Sequence, residues 1–198
     1  MAEKAAETVT TSTFMHSTVI DPADIRYPAK LRLRGDGKAL PALHILGNAN
    51  LLELPKTGLF CSSRCPGIAI LQAYDMAARW RDTDRCIISG FHSPVEQECL
   101  RILLRGSSPV ILCPARGLPK RIPTEWQDAI AADRLLILSI FADSENRISA
   151  AHASQRNDIV AALADDVWFA HIAPGGETDR LSHRLHKWGV PFLNIEKE

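Results

Sequence analysis

From Lys56 to the C-terminus, short and almost wholly apolar runs alternate with longer stretches of helical period. The runs Gly58 to Cys61, Cys86 to Ile88, Pro109 to Cys113, Leu135 to Ile140, Val167 to Ile172 and Pro191 to Ile195 read as strands buried on both faces. Between them, residues 67 to 81 place Ile70, Leu71, Tyr74, Ala77 and Ala78 on one helical face, with Pro66 suited to the first turn. Val95, Cys99, Ile102 and Leu103 form the stripe of a second helix that ends at Gly106. Pro123 opens a short helix around Trp126 and Ile130, and an Ala-rich helix over 150 to 164 turns Ile159, Ala162 and Leu163 inward. The last helix carries Leu181, Leu185 and Trp188, with Gly189 as its C-terminal cap. Strand and helix alternating in this way predict parallel strands with crossover helices. The expected fold class is therefore α/β: a Rossmann-like three-layer fold with a mostly parallel sheet and helices on both faces.

Upstream the pattern weakens. Residues 1 to 17 are rich in Ala, Glu, Ser and Thr without periodicity and read as a disordered leader. Residues 18 to 55 are punctuated by Tyr27-Pro28, Gly35-Asp36-Gly37 and Pro41, with one short strand at Leu43 to Leu46 that stops at Gly47-Asn48. This stretch is expected to pack on the main domain, residues 56 to 198.

Composition narrows the function. Lys+Arg and Asp+Glu are both 23 in 198 residues, which argues against a strongly basic nucleic-acid binder but leaves room for a local patch. No apolar run approaches the roughly 20 residues that span a bilayer, and the N-terminus lacks a secretory pattern. Of five cysteines, Cys61, Cys86 and Cys113 fall in or beside strand-like runs, the usage of a reducing cytoplasm. Cys61 and Cys65 lack a zinc-ribbon spacing, and His183 and His186 lack a third ligand, so no metal and no cofactor is implied.

Candidate chemistry gathers at strand-to-helix junctions, where an open α/β sheet places its ligand. Ser62, Ser63 and Arg64 offer two hydroxyls and a phosphate-matching guanidinium beside a helix N-terminus. Gly175 and Gly176, followed by Thr178, form a possible backbone cradle for an anion. Arg116, with Lys120 and Arg121, makes the most basic loop, and Arg156 and Asn157 line the same cleft from the start of the Ala-rich helix. Ser93-Pro94-Val95-Glu96 is a capping box whose glutamate already complements its own helix end. Phosphate is therefore assigned to the flanking junctions, and Ser89, Gly90, Phe91 and His92 form the wall that sets which ligand fits, with Gly90 allowing a close backbone approach.

Several of these segments resemble the DNA-processing protein A (DprA/Smf) family. Tyr27-Pro28, Leu43-His44-Ile45-Leu46-Gly47-Asn48, Ser62-Ser63-Arg64 and Ile88-Ser89-Gly90 follow that family's order and approximate spacing. Gln155-Arg156-Asn157-Asp158-Ile159-Val160-Ala161-Ala162-Leu163 is similar to its Arg-Asn-Arg segment, with Asp158 in the place of the second arginine. Pro174-Gly175-Gly176 resembles the phosphate-binding turn of the related LOG nucleotide-binding proteins, a pattern that Glu177-Thr178-Asp179-Arg180 then breaks. The resemblance implies a cleft for single-stranded DNA or a nucleotide, a role in DNA uptake and recombination, a recombinase partner, a homodimer and a cytoplasmic, non-enzymatic protein. It also implies that a chain stopping at Glu198 does without the small C-terminal domain of many members. A LOG-like nucleoside-monophosphate phosphoribohydrolase and a nucleotide-sensing scaffold are the alternatives.

Overall fold

A computed structural model describes residues 17–62 and 64–194. All of the expected leader except Ser17 lies outside the described residues. The apolar runs become strands: β3 (Lys56–Cys61), β4 (Cys86–Ser89), β5 (Val110–Leu112), β6 (Leu135–Ser139), β7 (Asp166–His171) and β8 (Phe192–Asn194), preceded by β1 (Thr18–Ile20) and β2 (Leu43–Gly47). The helices are α1 (Ala29–Arg34), α2 (Gly67–Trp80), α3 (Pro94–Leu104), α4 (Thr124–Ala131), α5 (Ala150–Leu163) and α6 (Glu177–Lys187). The eight strands form one sheet in the order β1-β2-β6-β5-β4-β3-β7-β8.

From β6 across to β8 every pairing is parallel. Alternate residues of each strand enter opposite cores because side chains flip faces at every step. Phe60, Ile88, Ile111, Leu136, Leu138 and Phe169 pack with α1, α5 and α6. Leu59, Ile87, Leu112, Ile137 and Trp168 pack with α2, α3 and α4. Both faces are thus covered, which is why the strand centres are apolar, with polar residues such as Lys56, Ser89, Ser139 and Asp166 at the strand ends. Among the described residues no helix is long and apolar enough to cross a membrane.

The upstream segment holds more structure than its sequence suggests. β1 and β2 extend the sheet antiparallel, with β2 against β6. Tyr27 is buried and its hydroxyl donates to the Pro41 carbonyl at 2.9 Å, so the Tyr-Pro segment pins α1 to the loop before β2. Gly47 has φ +107°, and a Cβ there would lie 2.3 Å from the Leu135 carbonyl oxygen, so a side chain cannot sit where β2 leaves β6.

One helical face differs from expectation. α2 buries Ala69, Ala73, Ala77 and Trp80 and leaves Leu71 and Ala78 exposed. Close approach of a helix to a flat sheet selects small side chains, whereas hydrophobic periodicity favours the large ones.

Candidate functional site

The chain leaves β3 towards β4, β5 and β6 on one side, while β7 lies on its other side. The loops that follow β3 and β7 therefore diverge, and a crevice opens between them at the C-terminal edge of the sheet. A cleft of about 520 Å³ occupies it. Cys61, Ser62 and Arg64 line it from the β3 loop, Ala173 to Thr178 from the β7 loop, and His92, Glu96, Arg156 and Asn157 from between. The sequence-predicted junctions at Ser62, Arg64, His92, Arg156, Asn157, Gly175, Gly176 and Thr178 thus meet in one place. Ser63 lies outside the described residues.

The start of α3 is closed by its own glutamate. Ser93 Oγ accepts from the Glu96 amide at 3.2 Å, and Glu96 Oε2 accepts from the Ser93 amide at 3.1 Å, completing the predicted capping box. The same Oε2 accepts from the His92 N–H at 2.9 Å, and Oε1 from the Cys61 N–H at 3.0 Å. Glu96 is buried, so one carboxylate fills the position an external anion would take at this helix end and ties the end of β3 to α3.

Arg156 is at the floor of the cleft, not at its rim. It is 5% exposed, and its Nη1 donates to the Cys113 carbonyl at 3.0 Å. Its Nε has no hydrogen-bond partner. Burial pulls its pKa below the usual arginine value, while the Glu96, Cys113 and Glu177 side chains favour the charge. The close approach that Gly90 permits is to this guanidinium: a Cβ on Gly90 would lie 1.4 Å from Arg156 Nη1. The glycine makes room for an arginine of the same chain.

At the opposite wall, several donors are already engaged. The Gly175 N–H, on a backbone with φ +70°, donates to Asp179 Oδ2 at 2.9 Å, and the Gly176 N–H donates to the Ala173 carbonyl at 3.0 Å. Thr178 is buried and its hydroxyl accepts from the Ala173 N–H at 3.2 Å. Asn157 Nδ2 donates to Glu177 Oε1 at 3.3 Å, and Arg180 holds both oxygens of that glutamate. Burial opposes ionisation of Glu177, yet the Arg180 and Asn157 contacts bring its pKa below the usual glutamate value. Arg64, in contrast, is exposed and pairs with nothing among the described residues. It is the side chain of the cleft most available to a phosphate.

Four predicted residues, Ser89, Gly90, Phe91 and Arg116, stand apart from the lining of this cleft. Ser89 is fully buried and its hydroxyl accepts from the Phe91 N–H at 3.2 Å. Phe91 is buried with φ +44°, a strained position for a side chain of that size. Arg116 and Phe91 line a neighbouring cavity. Sequence reasoning missed the reach of Glu96 to Cys61, since no local pattern reports a tertiary partner. Among the described residues no group of three or more His, Cys, Asp or Glu side chains comes together as a metal site.

A family model for DNA recombination-mediator protein A matches residues 18–172. Among curated proteins nothing matches. Of solved structures, DNA processing protein A from Streptococcus pneumoniae superposes with a TM-score of 0.72 at 19% identity, covering 92% of this chain and 63% of its own. DNA processing protein A from Helicobacter pylori, a structure described for its single-stranded DNA binding mode, superposes with a TM-score of 0.72 at 18% identity, covering 91% and 81%. At such identities the likeness establishes the fold. The chain spans less than two thirds of the pneumococcal protein's length.

Proposed function

The chain belongs to the DNA recombination-mediator protein A family, and on that premise we propose that it binds single-stranded DNA, or a nucleotide, in the cleft between the β3 and β7 loops and serves DNA uptake and recombination. The observation that carries this reading is the pairing of an unengaged Arg64 at the mouth with a buried, partly unpartnered Arg156 at the floor, at the switch point of the sheet. The H. pylori relative's single-stranded DNA binding supports it. Ser62 and Arg64 hold phosphate, the Gly175-Gly176 turn faces them, and His92, the one residue of the expected wall that lines the cleft, limits it. A cytoplasmic location, a homodimer and a recombinase partner belong to the same proposal.

Binding without hydrolysis is favoured over a LOG-like reaction. Arg180 and Asn157 occupy Glu177, and Asp179 occupies the Gly175 N–H, so the turn that would hold and activate a nucleoside monophosphate is engaged internally. Fluorescence anisotropy with a labelled single-stranded oligonucleotide, titrated across salt, tests the proposal. Arg64→Ala is expected to weaken binding uniformly across sequences and to lower the salt slope by about one. Absence of binding by the parent protein even at low salt defeats the DNA reading, and release of free base from a monophosphate defeats the non-enzymatic one.

A further inference from the structure

The turn from β3 into α2 carries two thiols, Cys61 and Cys65. Their settings differ. Cys61 is the last residue of β3, is buried and lines the cleft. Its N–H is held by Glu96 Oε1 at 3.0 Å, so its backbone is fixed. Cys65 is half-buried and packs against the same apolar cluster that contains Cys61. The two side chains are in hydrogen-bond contact with Cys61 as a donor, and the Cys61 thiol also lies 3.5 Å from the Ser62 carbonyl. Burial, and then the bond to Cys65, push the Cys61 thiol well above the usual cysteine value. Cys65 accepts in that contact, so it is the first of the two to lose its proton. It follows Arg64 and precedes Pro66, the cap residue of α2, where no side chain caps the helix. A guanidinium and a helix N-terminus both favour a thiolate. The other thiols are placed differently. Cys86 and Cys113 belong to the core on the opposite face of the sheet, and Cys99 is fully buried with its thiol donating to the Ala73 carbonyl at 3.6 Å.

A half-buried thiolate touching a buried thiol is the arrangement of an attacking and a resolving cysteine. We propose that Cys61 and Cys65 form a reversible disulfide when the protein meets a hydroperoxide, and that this bond controls where Arg64 sits. The Cys65 thiolate attacks the terminal peroxide oxygen and the O–O bond breaks. Sulfur becomes a sulfenic acid, and the other oxygen leaves as alcohol, or as water from hydrogen peroxide. The Cys61 sulfur then attacks the Cys65 sulfur, and the sulfenic hydroxyl leaves with the Cys61 proton as water. Two thiols have given up two electrons and two protons, and one hydroperoxide has taken them. The bond draws the sulfurs from hydrogen-bond contact to about 2 Å. Glu96 holds Cys61 in place, so Cys65 moves, and Arg64 is joined directly to it. Ser62 and Arg64, which line the cleft, both fall inside the closed ring. The control of Arg64 rests on the reading of that side chain as a phosphate contact; the disulfide itself does not.

The test treats the reduced parent, Cys65→Ser, Cys61→Ala and Cys99→Ala with hydrogen peroxide at neutral pH, blocks the remaining thiols and maps peptides by mass spectrometry. Circular dichroism and the thermal midpoint report folding. Parent and Cys99→Ala are expected to lose two hydrogens in one bond between Cys61 and Cys65, restored by dithiothreitol. Cys65→Ser is expected to form no bond within the chain. Cys61→Ala, lacking the resolving thiol, is expected to stop at a sulfenic acid on Cys65 that dimedone traps; Cys65→Ser, changed at a half-buried position, carries the comparison if Cys61→Ala fails to fold. A parent that forms no disulfide, a bond from Cys65 to Cys99, or a bond only between two chains overturns the proposal. Binding of oligodeoxythymidylate is then compared in the two states. The oxidised parent is expected to bind more weakly, with a salt slope lower by about one, and peroxide is expected to leave binding by Cys65→Ser unchanged. Equal binding by oxidised and reduced parent overturns the control of Arg64. If neither state binds a strand, the proposed function falls, while the disulfide, read by mass, stands.

Discussion

At the residue scale, the decisive group is Glu96. Three amides, those of Cys61, His92 and Ser93, converge on its two oxygens within 3.1 Å at the start of a helix. That is the geometry of an anion site with the anion covalently supplied. Removing the carboxylate has two separable consequences. Glu96→Ala loses the reciprocal half of the capping box and leaves the Cys61 N–H without its partner, costing on the order of 2–3 kcal/mol. A lower midpoint in urea at unchanged slope will show it. The vacated amides also become free for an external anion. Inorganic phosphate is therefore expected to raise the thermal midpoint of the variant by more than that of the parent, because a ligand of the folded form stabilises it by mass action. Equal shifts in the two proteins would count against an anion seat at α3. The capping box was legible in Ser93-Pro94-Val95-Glu96, since its partners are three residues apart. The bond to Cys61 was not legible, because it crosses 35 residues of sequence.

At the element scale, α5 and α6 are joined by a ladder of charges. Asp158 pairs with Arg180 at 2.7 Å and also with Arg184, and Arg184 and Lys187 both reach Asp36 in the loop after α1 at 3.3 Å. This answers the departure at the Arg-Asn-Arg-like segment: an acid at 158 meets two arginines on the neighbouring helix. Asp158→Arg, which restores the familiar residue, places three guanidiniums together and is expected to cost about 2 kcal/mol or more, since these side chains are only 19–38% exposed. Asp158→Asn should cost less, and a thermal melt at low salt ranks the two. Arg156 shows a matching limit of sequence reasoning. Its neighbourhood in the chain is polar, which suggests a rim, yet the helix turns it under Gly90 and onto the Cys113 carbonyl. Elements announced by long apolar or periodic runs were legible. β1 and α1 were not, because a three-residue strand and a six-residue helix carry too little pattern and are held by partners distant in sequence.

At the scale of the whole molecule, covering the sheet on both faces leaves three thiols deep in the two cores. Cys86 and Cys113 lie on one side and Cys99 on the other, none of them in a disulfide. The parallel sheet that buries them was legible from the alternation of strand and helix. The antiparallel extension by β1 and β2 was not, since it depends on how the chain returns from β2 to β3 at the middle of the sheet. Burial pushes each of the three thiols from 9.0 up to about 12. The unfolded chain then releases these protons first as pH rises. Stability contributed by keeping the thiols neutral is complete below about 9 and is lost progressively towards 12, at up to ~1.4 kcal/mol per pH unit for each thiol. Lys56 acts in the opposite sense, since burial lowers its pKa and folding gains as it loses its proton, whereas burial also raises Cys61, Tyr27 and Tyr74, which act with the three thiols. The expected result is a thermal midpoint that falls steeply above pH 9 and a shallower fall in Cys99→Ala. Native protein should also leave Cys86, Cys99 and Cys113 unreactive towards a thiol-specific disulfide reagent at neutral pH until denaturant is added. Rapid labelling of these three in the native state would mean that the cores open far more readily than two fully covered faces allow.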